Sequence, residues 1–442
     1  MSAIPYRSWG QAASAGQKAI KLVRREMPLP LDPTSAVTCL PYGNGRSYGD
    51  SCLNGGGLLL DCRGLDRLIS FDDATGILRC EAGMLLCDIT RITLPKGWFL
   101  PVTPGTELVT IGGAIANDVH GKNHHRAGTF GHHVRAFELL RSDGSRRLCT
   151  PTENPDWFRA TVAGLGLTGV ITWAEIQLRP ADGAFIDQET IRFRSLDEFF
   201  SLSRESGPKF EYTVAWVDSL ASGRSFGRGL FMRGNHAQTN ATDPVALNGA
   251  HLRIPFEPPV SLINRWTLKA FNEFYYRRQI RRRSRRLTHY RTFFYPLDGI
   301  GDWNRLYGPR GLVQHQSVLP HATAADAVAE MLERARRAGH ASFLTVLKEF
   351  GDHPAAGLMS FPRAGYTLAL DFASLGPGTS ALLDELDAVT LQAGGVVNIY
   401  KDGRMSAETF QAFYPRWREL AAFADPCFMS DFWRRVTAGA RT

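Results

Sequence analysis

The chain lacks the features that mark membrane-spanning, secreted and disulfide-rich proteins. No stretch approaches the ~18 uninterrupted apolar residues that a spanning helix needs. Its opening residues have no basic start followed by an apolar core, so nothing in them predicts secretion and we expect a cytoplasmic protein. The seven cysteines are odd in number and include no CxxC pair, which argues against a disulfide framework or a zinc ribbon.

Net charge is small outside one segment. Lys and Arg number 51 against 43 Asp and Glu, a formal net charge of +8. Residues 265–291, called here the basic segment, hold ten Lys or Arg and one Glu, so they carry +9 and leave −1 for the rest of the chain. A general nucleic-acid binder does not confine its charge in this way, so we expect no nucleic-acid partner.

The composition predicts a globular protein with more than one core. Hydrophobic residues make up 44% of the chain and charged residues 21%, far from the composition of disordered chains. A length of 442 residues predicts two or three domains.

The first part of the chain, residues 35–180, is rich in glycine turns and predicts an α+β domain of short elements. Expected strands are residues 58–61, 68–71, 77–80 and 170–178, with a hairpin joining 137–140 to 147–149. Residues 154–156 should open a short helix that runs to 162.

From residue 183 onward apolar residues recur at regular spacing over longer segments. It predicts helices at 324–338 and 379–393 and strands at 311–319, 342–349 and 366–372. Helices alternating with distant strands predict a second sheet that is covered on one side.

A glycine-rich turn provides the strongest local signal. Residues 43–50 read GNGRSYGD, and another glycine run follows at 54–57. Glycines at alternate positions let successive N–H groups form one concavity that binds an anion such as a pyrophosphate. Neither GxGxxG after a first strand nor GxxxxGK[ST] is present, which argues against a Rossmann or P-loop site. Taken alone, the turn is equally compatible with a simple tight loop.

A second cluster follows at residues 104–125. Small residues after Thr110 predict a helix start that can face a phosphate. The histidines here include His120 and His124, four residues apart, but Gly121 interrupts any helix that would set ligand geometry. We therefore expect no metal site.

Together with the run GLGLTG at 164–169, these turns resemble the vanillyl-alcohol-oxidase type of flavoprotein. The motifs GNGRSYGD, GGAIANDVHGKNHH, GTFGHHV, GLGLTGVI, WNRLYGP, YKDGRMSAETF and DPCFMSDFWRR are similar to those of the decaprenylphosphoryl-β-D-ribose 2′-oxidase family. The resemblance implies a two-domain α+β fold of the PCMH FAD-binding type. Its domains would be an FAD-binding domain at 1–182, a sheet-plus-helices substrate domain at 183–395 and a return to the first domain at 396–442.

The resemblance also implies an activity. A polyprenyl-phosphate-linked pentose would be oxidised at its 2′-hydroxyl to a ketone by hydride transfer to flavin N5, the first half of an epimerisation toward arabinose. An NAD(P)H-dependent short-chain reductase would complete it.

Residue roles are carried over from the same motifs. Lys401, Tyr48 and His120 would be catalytic, and Lys122, Gln314, Gln316, Lys348 and Lys401 would bind substrate. FAD would be held by Gly43, Asn44, Gly45, Arg46, Ser47, Tyr48, Gly105, Thr106, Gly112, Gly113, Ala116, Asn117, His120, Gly121, Gly169 and Val170. Relatives that tether the flavin have a histidine in the first glycine turn, where this chain has Arg46 and Ser47, so FAD should be non-covalent.

Alcohol oxidation needs a group that takes the hydroxyl proton as the hydride leaves. Lys401 is a candidate because a desolvated lysine has a lowered pKa, although its positive charge could instead favour the reduced flavin anion. Tyr48 and His120 are alternative bases. Gln314 and Gln316 alternate along a predicted strand, so both amides should point the same way and can contact sugar hydroxyls.

Two features depart from the family pattern. Actinobacterial members have a cysteine where this chain has Ala369, so thiol chemistry is not expected in turnover. The aromatics Phe294 and Tyr295 also differ, which leaves the identity of the pentose open.

The basic segment interleaves arginines with aromatics such as Trp266 and Phe274. It is either a solvated face or a surface on which aromatics enter the headgroup layer and arginines pair with anionic lipid, at the inner face of the cytoplasmic membrane. Two other functions remain open: a soluble aldonolactone or alditol oxidase of the same fold, and a flavin-free membrane-surface module. The first is disfavoured because neither a tethering histidine nor an HWxK-like motif is present.

Overall fold

The computed structural model describes residues 6–12, 16–31, 36–238, 252–340 and 342–438. Its strands are β1 (Lys18–Lys21), β2 (Cys39–Tyr42), β3 (Leu58–Asp61), β4 (Leu68–Asp72), β5 (Ile77–Glu81), β6 (Trp98–Phe99), β7 (Val134–Leu140), β8 (Arg146–Cys149), β9 (Val170–Gln177), β10 (Arg179–Pro180), β11 (Phe185–Phe193), β12 (Tyr212–Val217), β13 (Gly229–His236), β14 (Leu252–Arg253), β15 (Arg283–His289), β16 (Ile300–Gly301), β17 (Leu312–Leu319), β18 (Thr345–Phe350), β19 (Gly365–Ala373) and β20 (Val396–Val397). Its helices are α1 (Leu86–Thr93), α2 (Ile111–Ala116), α3 (His124–Ala127), α4 (Pro155–Thr161), α5 (Leu196–Ser206), α6 (Arg265–Arg277), α7 (Tyr290–Phe294), α8 (Ala324–Arg337), α9 (Pro377–Gln392), α10 (Ala407–Phe413), α11 (Trp417–Phe423) and α12 (Asp431–Thr437).

Two small sheets, with the separate antiparallel pair β6–β10, form the first part of the chain. A parallel sheet has the order β1-β3-β2, and an antiparallel sheet has the order β4-β5-β9-β7-β8. In β9, buried side chains alternate with half-buried ones over its second half, because one face packs on the core around Phe99, Phe130 and Phe137. The predicted strands and the β7–β8 hairpin are confirmed.

One large sheet dominates the second part. Its order is β15-β11-β13-β12-β18-β19-β17-β20, and every neighbouring pair is antiparallel. Helices α5, α8 and α9 cover one face, where Phe199, Met331 and Leu386 pack on Leu347 and Leu368. The predicted covering of one side of the sheet by helices is confirmed. The opposite face, which α6 crosses in part, lines the site described below.

Two boundaries differ from the sequence predictions. Helix α9 begins at Pro377 rather than 379, because proline suits the first helical turn after Gly376. Strand β18 begins at Thr345 rather than 342, since the Ser342 hydroxyl donates to the Leu344 carbonyl and accepts from the Asp371 amide, which replaces ladder pairing there.

The last helices pack against the first part of the chain. Phe410 and Trp433 share a core with Leu165, and the Asp425 carboxylate accepts from Ser142. The division into units at 182/183 and 395/396 stays a prediction. Over the described ranges, no helix combines the length and the apolarity needed to cross a membrane.

Candidate active site

A cavity of about 1680 Å³ lies between the glycine-rich segments and the face of the large sheet that is opposite α5, α8 and α9. Both segments contribute to its wall, together with β17, β18, β19 and the residues around Lys401. The sequence-predicted residues on this wall are Gly43, Asn44, Gly45, Arg46, Ser47, Tyr48, Gly105, Thr106, Gly112, Gly113, Ala116, Asn117, His120, Gly121, Lys122, Gly169, Gln314, Gln316, Lys348 and Lys401. Val170 does not line the cavity, because it is fully buried in β9 opposite Leu140.

The two glycine-rich segments are held together by direct contacts. The Asn44 side-chain amide donates to the Leu108 carbonyl at 2.7 Å, and Arg46 Nε donates to the same oxygen at 3.4 Å. A Cβ on Gly43 would lie 2.5 Å from Thr110 Oγ1, the group that caps α2 by accepting from the Gly113 amide. Glycine is therefore required where the segments meet.

The glycine-rich wall borders open space that a long cofactor could fill, whereas a packed core would leave no such space. A Cβ on Gly105 would meet no other heavy atom within 4 Å, and one on Gly113 would meet only the Thr110 hydroxyl. The open space at Gly105 leaves its backbone accessible to a ligand, whereas the Gly113 amide is already bonded to Thr110 Oγ1. The Arg46 guanidinium stacks 4.3 Å above the Trp9 ring, which holds a half-buried positive charge beside this wall.

Residues 400–435 pack against the first glycine turn. The Tyr48 amide donates to the Tyr400 carbonyl at 3.2 Å, and Arg435 bridges Asp50 and Asp402. A Cβ on Gly49 would lie 1.5 Å from the Asp402 carbonyl oxygen. This contact places Lys401 next to the glycine turn.

Lys401 lies over the Tyr48 ring, with its Nζ 3.8 Å from the ring centroid. Burial lowers the pKa of Lys401 from 10.5 to about 8, and the nearby Asp371 carboxylate opposes that fall. Burial raises the pKa of Asp371 from 3.8 to about 7, against the Gln314 amide that donates to it and the charge of Lys401. One oxygen of Asp371 has no hydrogen-bond partner among the described residues.

Gln316 sits at the centre of a second polar group. Its Oε1 accepts from Asn398 at 2.9 Å, which fixes its amide nitrogen toward Thr367 and His120. His120 Nε2 lies 3.0 Å from that nitrogen and must accept, so Nδ1 carries the proton of the neutral ring. Burial, together with the charges of Lys348 and Lys401, lowers the pKa of His120 well below its usual value.

Two further lysines face the cavity without a carboxylate partner among the described residues. Lys122 donates to the Phe293 carbonyl, and Lys348 donates to the Gly121 carbonyl at 3.1 Å. Burial lowers the pKa of each to about 7, with Lys122 and Lys401 adding to the effect at Lys348. Half-buried ammonium groups whose hydrogen-bond partners are carbonyls form a site suited to an anion.

Sequence reasoning missed three of these groups: Asp371, Thr367 and Asn398. Thr367 and Asp371 share a strand and a face with Ala369, which lines the cavity opposite Gln316. Because side chains alternate along a strand, the sequence of β19 could have placed Thr367 and Asp371 on this face. Cys52, Cys62 and Cys87 also line the cavity, where burial raises the pKa of each thiol to about 12.

Phe294 and Tyr295 line the cavity as well, and the Tyr295 hydroxyl pairs with Thr103 at 2.6 Å. The basic segment beside them folds as α6, β15 and the start of α7. Trp266 and Phe274 are exposed at 78% and 69%, which leaves large apolar side chains on its surface. Arg282 and Arg285 are paired with Glu198 and Asp187, so part of the segment's charge is already neutralised.

Comparison with known proteins agrees with this arrangement. The model of an FAD binding domain matches residues 34–150, which include both glycine-rich segments. Decaprenylphosphoryl-β-D-ribose oxidase of Mycolicibacterium smegmatis is 39% identical over 410 residues, 89% of this chain and 88% of that protein. A Streptomyces coelicolor protein is 34% identical over 79% of this chain and 98% of its own length.

A more distant similarity covers about a quarter of the chain. Human Δ(24)-sterol reductase is 35% identical over 114 residues, 26% of this chain and 22% of that protein. The predicted cofactor, FAD, and the predicted FAD-binding fold are confirmed by these matches.

Proposed function

The chain belongs to the decaprenylphosphoryl-β-D-ribose oxidase family of FAD-dependent oxidoreductases, and from this premise we propose that it oxidises the 2′-hydroxyl of a polyprenyl-phosphate-linked pentose to a ketone. The observation that carries the proposal is the meeting of Lys401, Gln314 and Gln316 with the glycine-rich segments on one cavity. The product would be the 2′-keto sugar of an epimerisation toward arabinose.

FAD is assigned to the wall made by Gly43 to Tyr48, Gly105, Thr106, Gly112, Gly113, Ala116, Asn117, His120, Gly121 and Gly169. The open space at Gly105 and Gly113 and the half-buried Arg46 charge support this assignment. When bound, FAD supplies the acceptor for the two electrons that leave the sugar carbon as a hydride.

The sugar is assigned to Gln314 and Gln316, whose side chains project from the same face of β17. The phosphodiester is assigned to Lys122 and Lys348, because a buried cation without a carboxylate partner gains most from an incoming anion. An anion there would also raise the pKa of both lysines and keep them charged.

Lys401 is the base that we propose for the hydroxyl proton. A pKa of about 8 leaves about a tenth of it neutral at pH 7, whereas an unburied lysine would have almost none. The O–H proton would pass to Lys401 Nζ while the C–H bond breaks, its hydride would go to the flavin, and the C=O bond would form.

The two other candidate bases are less suited. Burial raises the pKa of Tyr48 well above 10, so its hydroxyl keeps its proton near neutrality. The accepting nitrogen of His120 is occupied by Gln316, which leaves Nδ1–H as a donor. Both would orient substrate or cofactor rather than take a proton.

Partners follow from the same proposal. The exposed aromatics of the basic segment, and its exposed Arg265, Arg281 and Arg283, which have no ion pair among the described residues, support peripheral binding to a membrane. Its anionic, cytoplasmic face is where we expect a lipid-linked sugar to be found. A keto product requires a separate reductase, which we expect to be an NAD(P)H-dependent short-chain enzyme.

Anaerobic bleaching of the flavin tests the activity. A prenyl-phosphoryl ribose should bleach it, whereas the matched 2′-deoxyribose compound, which lacks the reacting hydroxyl, should not. Free ribose should bleach it poorly because it has no phosphodiester for Lys122 and Lys348. Equal bleaching by the deoxy compound would refute oxidation at the 2′ position.

A further inference from the structure

The cavity extends away from the sugar-binding end along the face of the large sheet. Strand pairing sets one row of side chains: Gln316 on β17, Ala369 on β19, Val346 on β18, Trp216 on β12 and Leu230 on β13. All five line the cavity. The row changes from polar to apolar as it leaves Gln316.

A second row continues in the same direction. Val214 on β12 pairs with Met232 on β13, which pairs with Thr190 on β11, which pairs with Ser284 on the edge strand β15. These four also line the cavity. Their neighbours Ala215 and Phe231 point to the opposite face, into the core beneath the helices. With about 4.8 Å between strands, the six steps from β17 to β15 span roughly 29 Å.

Helix α6 covers the middle of this path. Phe271, Phe274, Tyr275 and Arg278 follow the spacing of one helical face, and all four line the cavity. The Tyr275 ring contacts the Trp216 ring at a centroid distance of 4.8 Å. The other side of α6 is fixed to the sheet, where Asn272 donates to Asp218 at 2.8 Å.

The side chains of Val346, Trp216, Leu230, Val214 and Met232, with the covering face of α6, define an apolar groove. It begins beside the sugar-binding residue Gln316, and its apolar wall on the sheet ends at β13. Beyond β13, Thr190 on β11 and Ser284 on β15 continue the cavity as a polar exit, where Arg286 has no ion-pair partner among the described residues. Any molecule filling the groove and the sugar site together must have a polar head and a long apolar tail.

We propose that the isoprenoid chain of the carrier lies in this apolar groove, from β18 beneath α6 to its exit at β15. The inference rests on the proposed function, since it takes the sugar to be carried on a polyprenyl phosphate. On this proposal the face of the sheet recognises the isoprenoid chain. The exit at β15 is then the point where the rest of the isoprenoid leaves the protein for the membrane.

Substrates of graded length test the groove. Phosphoryl ribose is prepared with a methyl group or with prenyl chains of increasing length, all below their critical micelle concentrations, and KM is measured by flavin bleaching. KM should fall at least about tenfold from the methyl compound to a chain that fills the groove, and should then level off.

Met232→Gln tests the groove locally, because it changes polarity at nearly constant size. It should raise KM for long-chain substrates by about tenfold and leave the methyl compound unaffected. The matched control is Leu148→Gln, on an exposed position of β8 outside the cavity, which should change neither value. An equal rise for both substrates in Met232→Gln, or no rise for either, would overturn the groove.

Failure of the groove can be separated from failure of the proposed function. If ribose compounds bleach the flavin with a KM independent of chain length, the activity stands and the groove is wrong. If none bleaches it, binding of farnesyl phosphate and methyl phosphate is compared by calorimetry. Tighter binding of farnesyl phosphate that Met232→Gln abolishes would still support the groove, and equal binding of the two would refute it.

Discussion

Raising the pH from 7 to 9 should accelerate flavin reduction in the substrate-saturated enzyme, because Lys401 must be neutral to take the hydroxyl proton. Its pKa of about 8 leaves about a tenth of the side chain neutral at pH 7 and about nine-tenths at pH 9. The single-turnover rate should therefore rise about ninefold over this range and level off above it.

The sign of this dependence separates two roles of Lys401. If its positive charge were needed to stabilise the reduced flavin, the rate would fall as the pH rises through 8. Tyr48 and His120 do not change protonation between pH 7 and 9, since the pKa of Tyr48 is raised well above 10 and that of His120 is lowered well below 6.5. Asp371, with a pKa of about 7, becomes more fully charged over this range and favours charged Lys401, which opposes a rise. Saturating substrate removes the effect of Lys122 and Lys348 on binding, so a rise that Lys401→Ala abolishes can be attributed to Lys401.

Two variants complete the test. Lys401→Ala should retain FAD, lose at least about 10²-fold in rate and show no rise with pH. Asp371→Asn removes the carboxylate that favours charged Lys401, so the rise should move to lower pH. The assay is anaerobic stopped-flow bleaching at saturating substrate, with FAD content measured at each pH. A parent rate that falls between pH 7 and 9, or a near-normal rate in Lys401→Ala, would refute the assignment.

Four further outcomes are expected. KM should rise as the pH increases through 7, because Lys122 and Lys348 of the free enzyme then lose their charge. Lys348→Met should raise KM at pH 6, and an unchanged KM in this variant would argue against the phosphate site. Acid precipitation should release all yellow colour into the supernatant, and colour left in the pellet would mean that FAD is tethered. Gly49→Ala should yield protein without FAD, since its Cβ would overlap the Asp402 carbonyl, whereas Gly378→Ala on α9, with 3.8 Å to its nearest neighbour, should keep it. Neutralising the exposed Arg265, Lys269, Arg281 and Arg283 should weaken binding to anionic vesicles at low salt by roughly 4 kcal/mol. Neutralising Arg282 and Arg285, which are already paired with carboxylates, should weaken it less. If the first variant sediments with vesicles as the parent does, the basic segment is only a solvated face.

Local sequence signals were sufficient for the glycine-rich segments and for the alternation of Gln314 and Gln316. Both depend on backbone freedom or on a two-residue period, which are properties of a few adjacent residues. The same signals placed α8, whose apolar residues recur at helical spacing from Ala324 to Ala335. Signals of this kind do not depend on the rest of the fold.

Long-range pairings could not be predicted. Asp371 reaches Lys401 because β19 lies beside β17 and because residues 400–403 pack on Gly49, and neither contact has a local signature. The apolar groove depends on β12 lying beside β18, strands separated by well over a hundred residues. Burial then sets the pKa values, which follow from the assembled cavity rather than from neighbouring residues.

The interlock of Gly49 and Asp50 with Asp402 and Arg435 also constrains the order in which the molecule can mature. The glycine turn is synthesised early, but the residues that close it emerge from the ribosome only after the whole large sheet. Cofactor capture should therefore come late, after a contact of very high sequence separation has formed. Nascent chains arrested before Arg435 should remain colourless however well their first sheets have folded.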